Sequence, residues 1–114
     1  KASDMTLSVS GSGGIDLELE TGELTCRITG SGDIDAAGNA DRQDITITGS
    51  GNLESRGLET NDCEVTITGS GDAAVHVKSN LEVRITGSGD VYYKGDPNVR
   101  SRVTGSGDIA QRGR

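Results

Sequence analysis

The tripeptide Gly-Ser-Gly occurs six times along the chain at a nearly constant spacing. Successive copies begin at positions 11, 30, 49, 69, 87 and 105, which are 19, 19, 20, 18 and 18 residues apart. Most copies stand within the longer sequence Ile-Thr-Gly-Ser-Gly-Asp, followed by an aliphatic residue. A disordered low-complexity segment would not keep these flanking residues in phase. A repeat of this period is typical of a solenoid, in which each repeat forms one coil and stacks on its neighbours.

Apolar and polar residues alternate on both sides of each Gly-Ser-Gly, as expected for strands with one buried face. Met5, Leu7 and Val9 precede the first copy, and the alternation resumes after it at Ile15 and Leu17. Each coil is therefore predicted to contain a strand, the Gly-Ser-Gly turn, a second strand and a variable turn. Equivalent strands would pair in parallel with a rise of about 4.8 Å per coil. The sequence thus predicts an all-β fold, a single-stranded parallel β-helix (β-solenoid) of about six coils of 18–20 residues.

The interior of this β-helix is predicted to be thin and aliphatic. The chain of 114 residues has two tyrosines and neither phenylalanine nor tryptophan, although aromatic residues usually supply much of a core. A column of β-branched residues, which suit stacked strands, stands two positions before each Gly-Ser-Gly: Val9, Ile28, Ile47, Ile67, Ile85 and Val103. Small residues interrupt the apolar columns on one side of the coil, which is expected to be less tightly filled: Gly38, Ser55, Gly57 and Gly95.

The glycines of the repeat are predicted to adopt positive φ, a region that residues with a side chain avoid. On that reasoning, the replacement of a glycine in a middle coil, such as Gly71 by valine, should cost several kcal/mol. A cost of that size would be visible as a lower melting temperature in circular dichroism.

The two cysteines, Cys26 and Cys63, lie two coils apart in neighbouring columns. Two rungs alone separate them by about 9.6 Å, beyond the roughly 7 Å that a disulfide allows between Cα atoms. No further ligand or redox partner stands beside them. We therefore expect two buried, reduced thiols and no cofactor.

A column of Asp and Asn residues follows the Gly-Ser-Gly turns and is a candidate for calcium binding between rungs. Its members are Asp33, Asn52, Asp72, Asp90 and Asp108, with Gly14 at the equivalent position of the first coil. Calcium-binding β-rolls repeat their Gly/Asp turn every nine residues and therefore twice per coil, whereas this chain has it once. Exposed carboxylates about 5 Å apart repel by only about 0.8 kcal/mol in water. We expect turn caps that accept backbone hydrogen bonds, with calcium as the alternative.

Catalytic chemistry has little support in the sequence. The single histidine, His76, stands at an outward position with no serine, cysteine or metal-ligand pattern beside it. Polysaccharide-cleaving β-helices carry clustered acids on one face, and four acids do occupy consecutive outward positions here: Asp16, Glu18, Asp35 and Glu54. Those enzymes form a cleft with long loops, whereas every connection in this chain is short. The sequence predicts a protein that is not an enzyme.

Threonines form a further outward column, at Thr29, Thr48, Thr68, Thr86 and Thr104. Flat ladders of paired threonines are the device of ice-binding solenoids. In the neighbouring outward column, arginines replace threonine in several coils, so only two rungs read Thr-x-Thr. The column is predicted to be the solvent-facing surface of a sheet.

Charge and hydropathy exclude two further classes of function. The chain has 11 basic and 18 acidic residues, a net charge of -7, whereas a nucleic-acid binder normally shows a basic patch with stacking aromatics. No apolar run exceeds two or three residues, so no membrane-spanning segment is predicted.

The recurring Ile-Thr-Gly-Ser-Gly-Asp-Ile units, together with Val-Tyr-Tyr-Lys-Gly-Asp-Pro at positions 91–97, resemble the head GIN domain of auto-transporter adhesins. The resemblance covers most of the chain, and positions 91–97 are its most specific part. It implies a right-handed β-helix, an extracellular or cell-surface location on a bacterium and an adhesive or structural role, with no catalytic residues to carry over. Family members usually have a further, less regular β half and an export signal. We expect residues 1–114 to be a single β-solenoid domain, alone or as the repeat half of a longer one.

The two ends of the predicted rod carry opposite charge. Residues 1–24 have a net charge of -4 and residues 97–114 a net charge of +3. Neither end shows a polar or helical cap, although a bare terminal coil exposes strand edges and core. We expect the ends to be covered, either by further chain or by another subunit. Head-to-tail association would build an open filament, and the candidate residues are Asp16, Glu18, Glu20, Glu23, Arg100, Arg102, Arg112 and Arg114.

Two functions follow as hypotheses. The first is a non-enzymatic extracellular or cell-surface β-solenoid with a structural or adhesive role, whose copies self-assemble head to tail. The second is a ligand-binding module for glycan or calcium that uses an outward ladder, with a surface glycan or matrix as the partner. Tyr92 is the only outward aromatic residue, which makes a sugar-stacking platform difficult to build.

Overall fold

Parallel β-strands make up almost all of the structure, a computed structural model that describes residues 2–111. The strands are β1 (Ala2–Gly11), β2 (Gly14–Gly30), β3 (Asp33–Gly49), β4 (Asn52–Gly69), β5 (Asp72–Gly87), β6 (Asp90–Lys94), β7 (Asn98–Thr104) and β8 (Asp108–Gln111). They pair in the order β1-β2-β3-β4-β5-β6-β8, with β7 paired to β5. The result is a β-solenoid of about six turns, which confirms the predicted fold class. Residues 2–111 include no helix long and apolar enough to cross a membrane.

The register of the strand pairing follows the sequence repeat. Ile28 pairs with Ile47, Ile47 with Ile67 and Ile67 with Ile85, and all four are buried. At the turns, the N–H of Ser50 donates to the carbonyl oxygen of Gly30 one coil earlier at 2.9 Å, a bond that recurs at the other turns. A slip of one residue would turn the whole interior column to solvent. The alternating pattern therefore fixes the register.

The variable side of the coil is strand, whereas a turn was expected there. In β2 to β5 the chain stays paired from one Gly-Ser-Gly to the next, over 16 to 18 residues. Register shifts between Asp35 and Ala37, between Ser55 and Glu59 and between Thr60 and Asp62 absorb the different coil lengths. After β6 the pairing stops at positions 95–97, where proline has no N–H to donate.

A register shift also fills the side of the coil where small residues interrupt the apolar columns. Leu58 pairs with Gly38 and is fully buried. Gly38 leaves no empty space, because a Cβ atom there would overlap the carbonyl group of Leu19 in the preceding coil. Val75 and Val77 are fully buried in the following coil. The looser packing expected from the small residues is therefore absent around Leu58.

Positive φ occurs at the first glycine of each Gly-Ser-Gly and not at the second. Gly69 has a φ of 114°, whereas Gly71 is not in this region, so the prediction was wrong for Gly71. Glycine is required there because the coils approach closely. A Cβ atom on Gly71 would lie 2.5 Å from the carbonyl oxygen of Gly51 and 2.5 Å from Cγ2 of Ile47. The second glycine therefore allows the turns to stack.

One polar cluster interrupts the aliphatic interior. Gln43 and Ser55 are fully buried. The Ser55 hydroxyl donates to the carbonyl oxygen of Ala74 at 3.1 Å and lies 3.4 Å from Oε1 of Gln43. The Gln43 amide nitrogen lies 3.7 Å from the Cys26 sulfur, and the Cys63 thiol lies 3.9 Å from Oε1 of Gln43. The expected weak position at Ser55 is filled by a hydrogen-bonded network.

Candidate functional site

The column of Asp and Asn residues joins neighbouring turns by hydrogen bonds. The N–H of Asp90 donates to Oδ1 of Asp72 at 3.2 Å, and the N–H of Asp108 donates to Oδ1 of Asp90 at 3.2 Å. The Asn52 amide donates to Oδ1 of Asp33 at 3.4 Å. Within residues 2–111, no three His, Cys, Asp or Glu side chains are grouped so that they could hold a metal ion. These carboxylates act as turn caps, and calcium binding by them stays a prediction.

A shallow groove of about 500 Å³ runs beside this column. Its lining includes the polar residues Asp35, Asn52 and Asp72 and the half-buried Tyr92. Tyr92 pairs with Ala74, in the column that also contains Asp16, Asp35 and Glu54. Its ring therefore lies two coils beyond Glu54. Carboxylate and amide groups beside a ring can bind hydroxyl-rich molecules.

The acids considered for catalysis do not share one column. Asp16, Asp35 and Glu54 stack in successive coils, whereas Glu18 pairs with Ala37 in another column. His76 is half-buried and pairs with Glu59 and Lys94. In the described part of the chain this histidine has no metal-ligand group around it. The threonines of the outward column pair with one another from coil to coil, as predicted.

Both cysteines are buried free thiols, as predicted. Burial raises the pKa of Cys26 to about 11, with a smaller opposing effect of the hydrogen bond from Gln43. Burial raises the pKa of Cys63 still further. The thiols are thus neutral at physiological pH and poor nucleophiles. Sequence reasoning missed the buried Gln43, although its position between Leu24 and Cys63 in an apolar column was a signal.

Strands β7 and β8 form one edge of the described sheet. β7 pairs with β5 and β8 with β6, and within residues 2–111 no strand pairs with their other edges. Val99 and Val103 continue interior columns but are each 38% exposed. Their equivalents one coil earlier, Leu81 and Ile85, are each 1% exposed.

β1 and the first residues of β2 form the other edge of the described sheet. Within the described chain, β1 pairs with β2 alone, and positions 14–20 of β2 pair with no earlier strand. Leu7 and Val9 are only 9% and 6% exposed. Met5 and Ile15 are half-buried and pack against the core.

Three of the four acidic candidates for self-association lie on the N-terminal edge. Asp16, Glu18 and Glu20 are exposed on the first residues of β2. Glu23 pairs with Asp4 and therefore lies one coil in from the edge.

The basic candidates lie at the other end and on another side of the coil. Arg100 and Arg102 are exposed on β7, in the columns that begin with Thr6 and Ser8. The structure thus places them in different columns from the acids at positions 16–20. The remaining candidates, Arg112 and Arg114, lie outside the described residues.

Stacked parallel coils with a hydrogen-bonded Gly-Ser-Gly turn in each define this chain as a β-solenoid repeat protein. The model of the family described as putative auto-transporter adhesin, head GIN domain, matches residues 1–97. The chain belongs to this family, which confirms the resemblance seen in the sequence.

Solved structures share this fold. A putative adhesin from Parabacteroides merdae is 38% identical, with 96% of this chain and 47% of its own covered and a TM-score of 0.94. A putative lipid binding protein from Parabacteroides distasonis is 31% identical, with 96% and 45% covered and a TM-score of 0.93. A putative adhesin from Bacteroides fragilis is 25% identical, with 94% and 53% covered and a TM-score of 0.83. The chain thus spans about half the length of these structures. No curated protein matches the sequence.

Proposed function

We propose that this protein is a non-enzymatic structural or adhesive β-solenoid of the bacterial cell surface or extracellular space, and that its copies associate head to tail. Membership of an adhesin head family supports the surface role, and two of the solved relatives carry the name adhesin. The observation that supports the association is the charge of the described strands, which is acidic at Asp16, Glu18 and Glu20 on β2 and basic at Arg100 and Arg102 on β7.

The acidic N-terminal and basic C-terminal ends attract each other, which accelerates encounter at low salt. Screening over about 10 Å at 0.1 M ionic strength weakens that attraction.

Size-exclusion chromatography with light scattering tests the association. At low salt the native chain should show a mass above 11.7 kDa that rises with concentration, and high salt should lower it. Arg100→Glu should weaken the association. Arg42→Glu changes the net charge equally at an exposed position of a middle coil and should leave it unchanged. An 11.7 kDa monomer under all conditions, or an equal effect of the two variants, would overturn the proposal.

Location is tested separately from association. Antibody labelling and protease treatment of intact cells should reach a surface protein. Protection from both in intact cells, with access restored by lysis, would contradict the surface role.

A glycan-binding module is the second candidate, and the groove beside Tyr92 is the observation that favours it. A glycan array probed with and without calcium should then show binding that Tyr92→Ala abolishes. Tyr93→Ala is the comparison variant, because Tyr93 packs against the core and does not line the groove. No binding under either condition would remove this candidate.

A further inference from the structure

We propose that three arginines on two neighbouring strands form a binding site for the sulfate or carboxylate groups of an anionic polysaccharide. Arg84 lies on β5, and Arg100 and Arg102 lie on β7. All three side chains are exposed on the outer face of the sheet. This site is separate from the groove beside Tyr92, with which it shares no lining residue.

The pairing of β5 with β7 brings the three guanidinium groups together. Arg102 pairs directly with Arg84, and Arg100 pairs with Glu82, on strands that are about 4.8 Å apart. Because residues two positions apart point to the same face of a strand, all four side chains share one surface. They line a shallow groove of about 220 Å³. Three positive groups and one carboxylate thus meet on a chain whose net charge is -7.

The fold does not require arginine at these positions. The column that contains Arg84 and Arg102 has Thr46 and Thr66 in two middle coils. Threonine suits an exposed strand position, whereas like charges that stand opposite each other on neighbouring strands destabilise a sheet. A bound oxyanion would remove this repulsion, because it can accept hydrogen bonds from two guanidinium groups at once.

Glu82 is the acidic group that competes with a ligand in this groove. Its Oε2 lies 3.8 Å from Nη2 of Arg84, and both side chains are about half exposed. Exposed ion pairs of this kind contribute little to stability, so an incoming oxyanion can displace the carboxylate. The acids of this column do not extend across the site, because Arg100 follows Glu82 in the next coil.

Hydroxyl groups beside the arginines favour a polysaccharide over other anionic partners. Thr86 pairs with Thr104 in the adjacent outward column, and both are exposed, so they can exchange hydrogen bonds with sugar hydroxyls. The described lining of the groove includes neither an aromatic side chain for base stacking nor an exposed apolar side chain that could enter a membrane. The preference for a polysaccharide rests on the proposed surface role.

Arg84→Gln tests the site, with Arg27→Gln as the matched control. Arg27 is an exposed arginine of the same column, but its neighbours in that column are Ser8 and Thr46. The two variants change the net charge equally. In biolayer interferometry with dextran sulfate at low salt, Arg84→Gln should raise the dissociation constant about tenfold. Arg27→Gln should match the native chain.

Removal of the competing carboxylate should have the opposite effect. Glu82→Gln should tighten the binding of dextran sulfate, because it lowers the repulsion of the ligand and releases Arg84 from its ion pair. The control is Glu59→Gln, because Glu59 lies 3.8 Å from Lys78 with a similar exposure in a different column. It removes an equal charge and a similar ion pair, and should leave the dissociation constant unchanged.

Several results would overturn the site or its partner. Equal effects of Arg84→Gln and Arg27→Gln, or weaker binding by Glu82→Gln, would show that these arginines do not form the site. Uncharged dextran bound as tightly as dextran sulfate would contradict recognition of the anionic groups. Vesicles of phosphatidylserine bound more tightly than dextran sulfate would replace the polysaccharide with a membrane. Circular dichroism melts should show that all four variants fold as the native chain does.

The surface role is decided by a different measurement, the labelling of intact cells. If the native chain is labelled on intact cells but does not bind dextran sulfate, the anion site is wrong and the surface role stands. If it binds dextran sulfate with the expected effects of the variants but is protected in intact cells, the site stands and the surface role fails.

Discussion

The close stacking of the Gly-Ser-Gly turns makes a quantitative prediction for Gly71→Ala. A Cβ at this position lies 2.5 Å from the Gly51 carbonyl oxygen and 2.5 Å from Cγ2 of Ile47, about 1 Å inside normal contact. Overpacking of this kind costs about 1–3 kcal/mol. The Gly51 carbonyl also accepts the N–H of Asp72 at 3.1 Å, so its displacement would cost about 1 kcal/mol more. We expect a total loss of about 3 kcal/mol.

A set of four alanine variants separates the contact from the backbone conformation. Gly13 has neither a close contact nor positive φ, and Gly11 has a φ of 84° with no atom within 4 Å. Gly71 has the contact alone. Gly69 has both, with a φ of 114° and a Cβ position 2.6 Å from the Gly49 oxygen. Positive φ alone costs about 1–2 kcal/mol. The loss of stability is therefore expected to increase in the order Gly13→Ala, Gly11→Ala, Gly71→Ala and Gly69→Ala.

Thermal melts followed by circular dichroism, at concentrations too low for association, measure this order. A loss of about 3 kcal/mol lowers the melting temperature by about 10 °C in a domain of this size. A melt of Gly71→Ala that overlays the native curve would refute the close approach of the turns. A larger loss for Gly11→Ala than for Gly71→Ala would show that φ, and not stacking, requires the glycines.

Three further predictions concern the interior and the acidic column. Burial raises the pKa of Cys26 to about 11 and that of Cys63 further. Iodoacetamide at pH 8.5 should therefore alkylate both thiols at least about a hundredfold more slowly in the folded chain than in urea. Equal rates would contradict the burial of the thiols. Gln43→Leu should change the free energy of unfolding by less than about 1 kcal/mol, since Ser55 keeps its hydrogen bond to a main-chain carbonyl. Gln43→Ala should cost about 2–3 kcal/mol, because it leaves a cavity. A larger loss for the leucine variant than for the alanine variant would contradict this. EDTA should leave the melt unchanged, because main-chain N–H groups already donate to Oδ1 of Asp72 and of Asp90. A lower melting temperature, restored by calcium, would establish calcium binding.

The repeat and the alternation were sufficient to predict the fold. A column such as Ile28, Ile47 and Ile67 shows both the period of the coil and the face that is buried. Parallel stacking follows, because each strand then meets an identical neighbour in register. Buried reduced cysteines could be predicted from the same columns.

Features that depend on tertiary packing could not be read from the pattern. Gln43 is polar, and only the hydrogen bonds of Ser55 and the two thiols make its burial favourable. Leu58 enters the interior because a register shift places it opposite Gly38. The variable side of each coil is strand where a turn was expected, because residue types alone do not specify the backbone geometry there.

The candidate site was predictable in charge but not in position. Net charge showed which end is acidic and which is basic. It did not show that Arg100 and Asp16 lie in different columns, since that depends on the side of the coil where each residue falls. The exposure of Val99 could be seen only in the structure.

Electron cryomicroscopy of the native chain at low salt tests most directly whether copies of this solenoid associate. The account predicts straight rods with β-strand rungs about 4.8 Å apart. Isolated particles of a single chain would contradict it.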